Sequence, residues 1–190
     1  MLIELRTYDF APGAATRYLQ LFGTEGLKLI TRHLPLGGYW ITETGTLNRL
    51  RHIWIYADMA ERAARRSRLM ADSKWAEDFL PRGLAMIGVQ RTQFLALRTS
   101  SSAFDAVLSK RDAHHAGLAS GAQPLGEAFW VFDEGLARPQ SEDPVFAAQV
   151  LAGDGTGSWI TISRLANDEL PEPVAGDREV LRDVAFSPLV

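Results

Sequence analysis

Within the first hundred residues the hydrophobic period switches from two to about three and a half and back, twice over, and few folds accommodate that order. Leu2 to Phe10 alternates, with Ile3, Leu5 and Thr7 on one face and Leu2, Glu4, Arg6 and Tyr8 on the other, which predicts a strand. After Pro12-Gly13, the residues Ala15, Leu19, Phe22, Gly26 and Leu29 recur at helical steps and mark the buried stripe of a helix that fades near His33 and Pro35. Gly37-Gly38 opens an aromatic and β-branched run from Tyr39 to Thr44, and Gly45 to Asn48 turns it into a second run, Arg51 to Ala57. These two runs read as a hairpin, with Asn48 suited to positive φ in the turn. Asp58 and Glu61 then form an N-cap with its reciprocal partner. The helix they start is expected to pack through Ala60, Ala63, Ala64 and Ser67, with its arginines pointing away. Ser73 begins a short turn carrying Trp75 and Phe79, Pro81 stops it, and Ile87 to Leu97 alternates again. The order β-α-β-β-α-β is the ferredoxin-like unit, an α+β fold.

Thr99 to Ser102 is short and polar and marks the expected boundary, so residues 1–100 form one domain and 105–190 a diverged α+β second half. A degenerate second ferredoxin-like domain is one option for that half. Glu127 to Asp133, Ser158 to Leu165 and Glu179 to Phe186 read as strands, Pro144 to Leu151 as a short helix, and Asn167 to Asp177 as a surface loop. Gly153, Gly155 and Gly157 suit a turn, since they precede a strand and lack the helix start that a phosphate loop needs.

Charge and composition narrow the function classes. Residues 1–104 carry a formal charge of +5 and residues 105–190 one of −8. The basic excess comes mainly from Arg62, Arg65, Arg66 and Arg68 on one helix, with no nucleic-acid motif beside it, so no nucleic-acid partner is expected. With no cysteine, disulfides, thiolate nucleophiles and sulfur-ligated metals are excluded. No apolar run approaches the length of a membrane span and Glu4 and Arg6 interrupt the first apolar stretch, so the expected location is cytoplasmic, away from membranes. GxSxG and HExxH segments are absent.

Glu4-Leu5-Arg6-Thr7-Tyr8, Pro12-Gly13, Gly38-Tyr39-Trp40 through Thr42-Glu43, Leu47-Asn48 to His52-Ile53-Trp54, and Arg62-Ala63 to Arg66 together resemble the NIPSNAP family pattern over residues 2–98. The ending Ala185-Phe186-Ser187-Pro188-Leu189 is similar to the tail of bacterial members, whereas residues 105–190 otherwise lack a second ELRxY or GYW segment. The resemblance implies the dimeric α+β barrel superfamily, in which two ferredoxin-like sheets pack face to face around a ligand-sized space. That superfamily holds cofactor-independent monooxygenases, haem-handling proteins and isomerases, so fold does not fix reaction.

Alternation proposes a site independently of the family. Glu4, Arg6 and Tyr8 share one face of the first strand, and His52, Trp54 and Tyr56 share one face of the third. The opposite faces, with Ile3, Leu5, Ile53 and Ile55, suit a covering of helices, so the polar and aromatic set is expected to face the barrel interior. His52 is the candidate base, with Glu4 and Arg6 as catalytic partners or, equally, as an ion pair that sets register. Tyr8, Tyr39, Trp40, Glu43, Trp54 and Tyr56 are the candidate substrate-binding residues, for a small apolar or aromatic molecule. No cofactor or metal is expected. Haem through His33 or His52 stays open as a further option, as does a non-catalytic adaptor. Because Tyr8, Trp54 and Tyr56 would leave one sheet face apolar and exposed, a homodimer through that face is expected.

Overall fold

The structure, a computed structural model, describes residues 1–139, 141, 143–165, 169 and 176–189. Its first strand, β1 (Leu2–Phe10), leads through Gly13 into α1 (Ala14–Leu21), a π-helical stretch (Phe22–Gly26) and α2 (Leu27–Ile30), which together run as one helical segment. The hairpin follows as β2 (Leu36–Thr42) and β3 (Arg49–Tyr56), turning at Asn48 with φ 55°. Asn48 Oδ1 accepts from the Gly13 amide at 3.1 Å, which ties the hairpin turn to the start of α1. Next come α3 (Met59–Ala71), a second π stretch (Lys74–Phe79), α4 (Leu80–Leu84) and the 14-residue β4 (Ile87–Ser100). Pro81 does not end the helical segment. It sits in the first turn of α4, where its missing N–H costs little, and the π stretch before it absorbs the change in hydrogen bonding.

The second half supplies α5 (Ser102–Ser109), β5 (Leu125–Leu136), β6 (Phe146–Ala152), β7 (Trp159–Arg164) and β8 (Asp177–Val184). The run expected as a helix from Pro144 to Leu151 is therefore a strand. Phe146, Ala148 and Val150 alternate into a buried core while the backbone pairs with β4 on one side and β7 on the other, and that tertiary pairing overrides the alanine-rich local preference for helix. Gly153, Gly155 and Gly157 make the β6–β7 turn, all with positive φ. Most of the surface loop expected from Asn167 to Asp177 lies outside the described residues, and Asp177 itself begins β8.

All eight strands close into one barrel in the order β1-β3-β2-β8-β5-β7-β6-β4. In the first half the sheet order is β4-β1-β3-β2 and in the second β8-β5-β7-β6, which is the same order taken strand for strand. The two joins are β2 to β8 and β4 to β6, and β4 is long enough to pair with β1 through Ala96 and with β6 through Ser100. The architecture is α+β. No helix among the described residues is long and apolar enough to cross a membrane.

The barrel interior holds Ile3, Leu5, Trp40, Ile53, Ile55 and Leu95 from the first half against Trp130, Phe132, Phe146, Ile160, Ile162 and Leu181 from the second. The polar and aromatic set of β1 and β3 thus lies on the opposite face, beneath the helices, which reverses the expected orientation. The apolar faces of the two sheets bury each other, with one buried ion cluster of Arg51, Glu134 and Glu179 among them, whereas Glu4 on the opposite face is met by Arg62 and Arg66 of α3. The sheet face for which a second copy of the chain was expected is covered by helices from the same chain. The other face is covered by the chain's own second half.

Candidate functional site

Glu4 is fully buried on β1, and α3 is turned to meet it. Arg62 donates to its two oxygens at 3.0 and 2.9 Å, Arg66 donates Nη2 to both at 3.0 and 2.9 Å, and Arg6 adds a longer contact at 3.5 Å. Burial alone would raise the Glu4 carboxyl, but the Arg62 and Arg66 guanidiniums outweigh it and hold it below the usual carboxylate range. Arg62 and Arg66 of α3 therefore point inward and Arg65 is held by Glu61, whereas Arg68 and the expected packing face of Ala60, Ala63, Ala64 and Ser67 are exposed. Only Leu69 of this helix is buried.

Beside this ion cluster a cavity of about 200 Å³ opens between the outer face of β1 and β3 and the helices. Its apolar wall includes Tyr8, Phe22, Trp54, Leu69, Trp75 and Phe79, and its polar groups come from Arg6, Tyr18, His52, Arg66 and Gln90. Both π stretches contribute to it, through Phe22 and through Trp75 and Phe79. Gly26 makes this approach possible, since a Cβ there would stand 2.6 Å from the Phe79 ring.

His52 is almost wholly buried. It stacks on Tyr39 at 4.5 Å and meets Tyr8 edge-on at 4.8 Å and Trp54 at 5.8 Å. Its Nδ1 has no hydrogen-bond partner. Burial, then the nearby Arg6 and Arg66 charges, push its pKa well below the usual value, so the imidazole is neutral at pH 7. Arg6 Nη2 donates to Gln90 Oε1 at 2.7 Å, while its buried Nε has no partner. The Tyr8 hydroxyl is raised by burial and stays protonated.

Of the residues anticipated from the sequence, Arg6, Tyr8, His52 and Trp54 line the cavity together. Glu4, Tyr39 and Tyr56 lie behind it as supports. Trp40 points the other way, into the barrel, where it meets Trp130 edge-on at 6.0 Å, and Glu43 is at the surface near Arg182. His33 is not among the cavity-lining residues and bonds Asp72 at 3.2 Å, and His114 meets Thr31 at 3.3 Å. Sequence reasoning missed Arg66 and Gln90 as wall residues. Gln90 was legible, because it shares the β4 face that pairs with Tyr8, whereas Arg66 required the rotation of α3.

A family model described as NIPSNAP matches residues 3–102, a little over half of the chain. The chain belongs to the NIPSNAP family. Within the family it is similar to NipSnap homolog 3B of Mus musculus, 38% identical over 95 residues, and to NipSnap homolog 3A of Homo sapiens, 36% identical over the same length. In both cases the match takes in 50% of this chain and 38% of the relative, so the chain spans well under half the length of these NipSnap proteins. Beyond the NIPSNAP segment, the whole barrel is similar to a provisionally assigned monooxygenase from Lactobacillus acidophilus NCFM, covering 98% of this chain and 97% of that one at TM-score 0.51 and 11% identity. An identity that low carries the fold alone.

Proposed function

We propose that this NIPSNAP protein binds a small aromatic molecule in the cavity between sheet and helices and uses His52 there as a proton acceptor. The observation that carries this reading is a neutral, buried imidazole lacking a partner at Nδ1, set in an aromatic cavity beside two guanidiniums. In the proposed step an O–H or acidic C–H bond of the ligand breaks, its electron pair stays on the ligand, and the proton passes to an imidazole nitrogen of His52. Arg6 and Arg66 oppose protonation of a lone His52, but they stabilise the anion that forms beside it, so the transfer is favourable as a pair. An enolate or phenolate made this way begins both isomerisation and cofactor-free oxygenation, the reaction types the superfamily resemblance leaves open. The two π stretches at the cavity wall support the reading, since such irregularities are rare and gather at functional sites.

Thermal melting against a panel of one- and two-ring apolar and aromatic compounds tests it. The expected result is a rise in Tm with one-ring aromatics that disappears in Leu84→Trp, which fills the partly exposed rim of the cavity. A wild type that responds to no compound, or a response unchanged in Leu84→Trp, would overturn the assignment.

A further inference from the structure

Building on that binding reading, we infer that the ligand is a one-ring aromatic acid, a carboxylate or phenolate whose anionic oxygen meets Arg6 and Arg66. The first support is charge. Arg6, Arg62 and Arg66 surround Glu4, and among the described residues the cavity wall includes Arg6 and Arg66 but no aspartate or glutamate. One carboxylate thus serves three guanidiniums, and the wall is left net positive in an aromatic, partly desolvated setting. Solvent relieves the excess charge of these part-exposed guanidiniums only in part, and an anion in the cavity would balance it.

The second support is the donor geometry. Arg6 and Arg66 already spend donors on Gln90 and Glu4, yet Arg6 Nε is buried with no partner. A planar guanidinium presents its donors as a fork that matches a planar oxyanion. The third support is size. An apolar cavity of roughly 150 Å³ holds benzene, so the 200 Å³ here leaves room for one ring and a short acidic substituent. The flat walls of Trp54, Trp75 and Phe79 suit a ring better than an alkyl chain.

Calorimetric and absorbance titration at pH 6 and pH 7 with benzoate, its neutral isostere benzamide, and 4-nitrophenol separates the possibilities. Benzoate should bind at one site per chain and at least tenfold more tightly than benzamide. Bound 4-nitrophenol should show its yellow ionised band at a pH where free 4-nitrophenol is mainly protonated, which tells a phenolate site from a carboxylate one. In Arg6→Gln, folded by circular dichroism, the ratio of benzoate to benzamide affinity should fall to about one. Equal binding of benzoate and benzamide to the wild type would refute the acid class and leave the aromatic cavity standing. If neither aromatic compound binds, both the acid class and the cavity reading fall together.

Discussion

His52 sits where an imidazole cannot easily carry a proton, and that has a consequence for stability. Its folded pKa lies below the unfolded value, so the unfolded chain binds the extra proton first as pH falls. Stability should therefore be fully present above about pH 6.5, the unperturbed histidine value, and decline below it. His52→Phe keeps a ring against Tyr39 and should remove that part of the slope between pH 6.5 and 5, as read by urea midpoints across that range. Glu4→Gln probes the neighbouring cluster from the other side, because it leaves Arg62 and Arg66 facing a neutral amide. With those arginines part-exposed, the expected loss is about 2–3 kcal/mol, somewhat under the range for a fully buried pair. An unchanged melting temperature would contradict the anchoring role of Glu4. Alternation placed Glu4, Arg6, Tyr8, His52 and Trp54 on one face correctly, because period two is a property of the strand itself. Which face turns inward was not legible, since that depends on what each layer brings to it.

At the scale of elements, α3 illustrates both sides of that lesson. Its start was readable: Asp58 accepts from the Glu61 amide at 2.9 Å, and Glu61 accepts in turn from the Ala57 amide at 2.5 Å. Asp58→Ala should cost about 1 kcal/mol, visible as a lower Tm with an unchanged fold. Its rotation was not readable, because small residues normally mark a packing face, and here the sheet below offers a carboxylate instead. Glu61 also holds Arg65 and Arg111. Burial would raise its carboxyl, but the Ala57 amide and the two arginines bring it down to about 2. With a folded pKa below the unfolded one, its contribution is present above about pH 4.5 and lost as pH falls toward 2. Acid titration of Glu61→Gln should accordingly show a shallower loss of stability across that window than the wild type. The β6 strand failed for the opposite reason: its local sequence suits a helix, and only the two flanking strands decide otherwise.

For the whole molecule, the sequence made the first four strands plain and left the closure open. A second copy, or the second half of the same chain, is expected over Tyr8, Trp54 and Tyr56, and helices over Leu5, Ile53 and Ile55; the structure exchanges the two coverings. The second sheet covers the Leu5, Ile53 and Ile55 face, and its own outer face explains why it reads as irregular. There Asp133, Thr161 and Arg178 cluster, with Arg178 donating to Asp133 at 2.5 and 2.8 Å, so that surface needs no aromatic packing like that around Trp54. Residues 1–100 expressed alone should expose Ile3, Leu5, Ile53 and Ile55 and associate in pairs, which sedimentation equilibrium would register as twice the fragment mass. A monodisperse, folded fragment of single mass would show that the second sheet is dispensable.

Closure within one chain also changes how the protein meets dilution. A barrel assembled from two separate subunits is held by mass action, so its population and any site it shapes fade as concentration falls. Here the joins between β2 and β8 and between β4 and β6 are hydrogen-bonded within one chain, and the effective concentration of one sheet for the other is fixed by the residues that connect β4 through α5 to β5. The described walls of the cavity under the helices all come from that one chain, so mass action between subunits is not what brings them together.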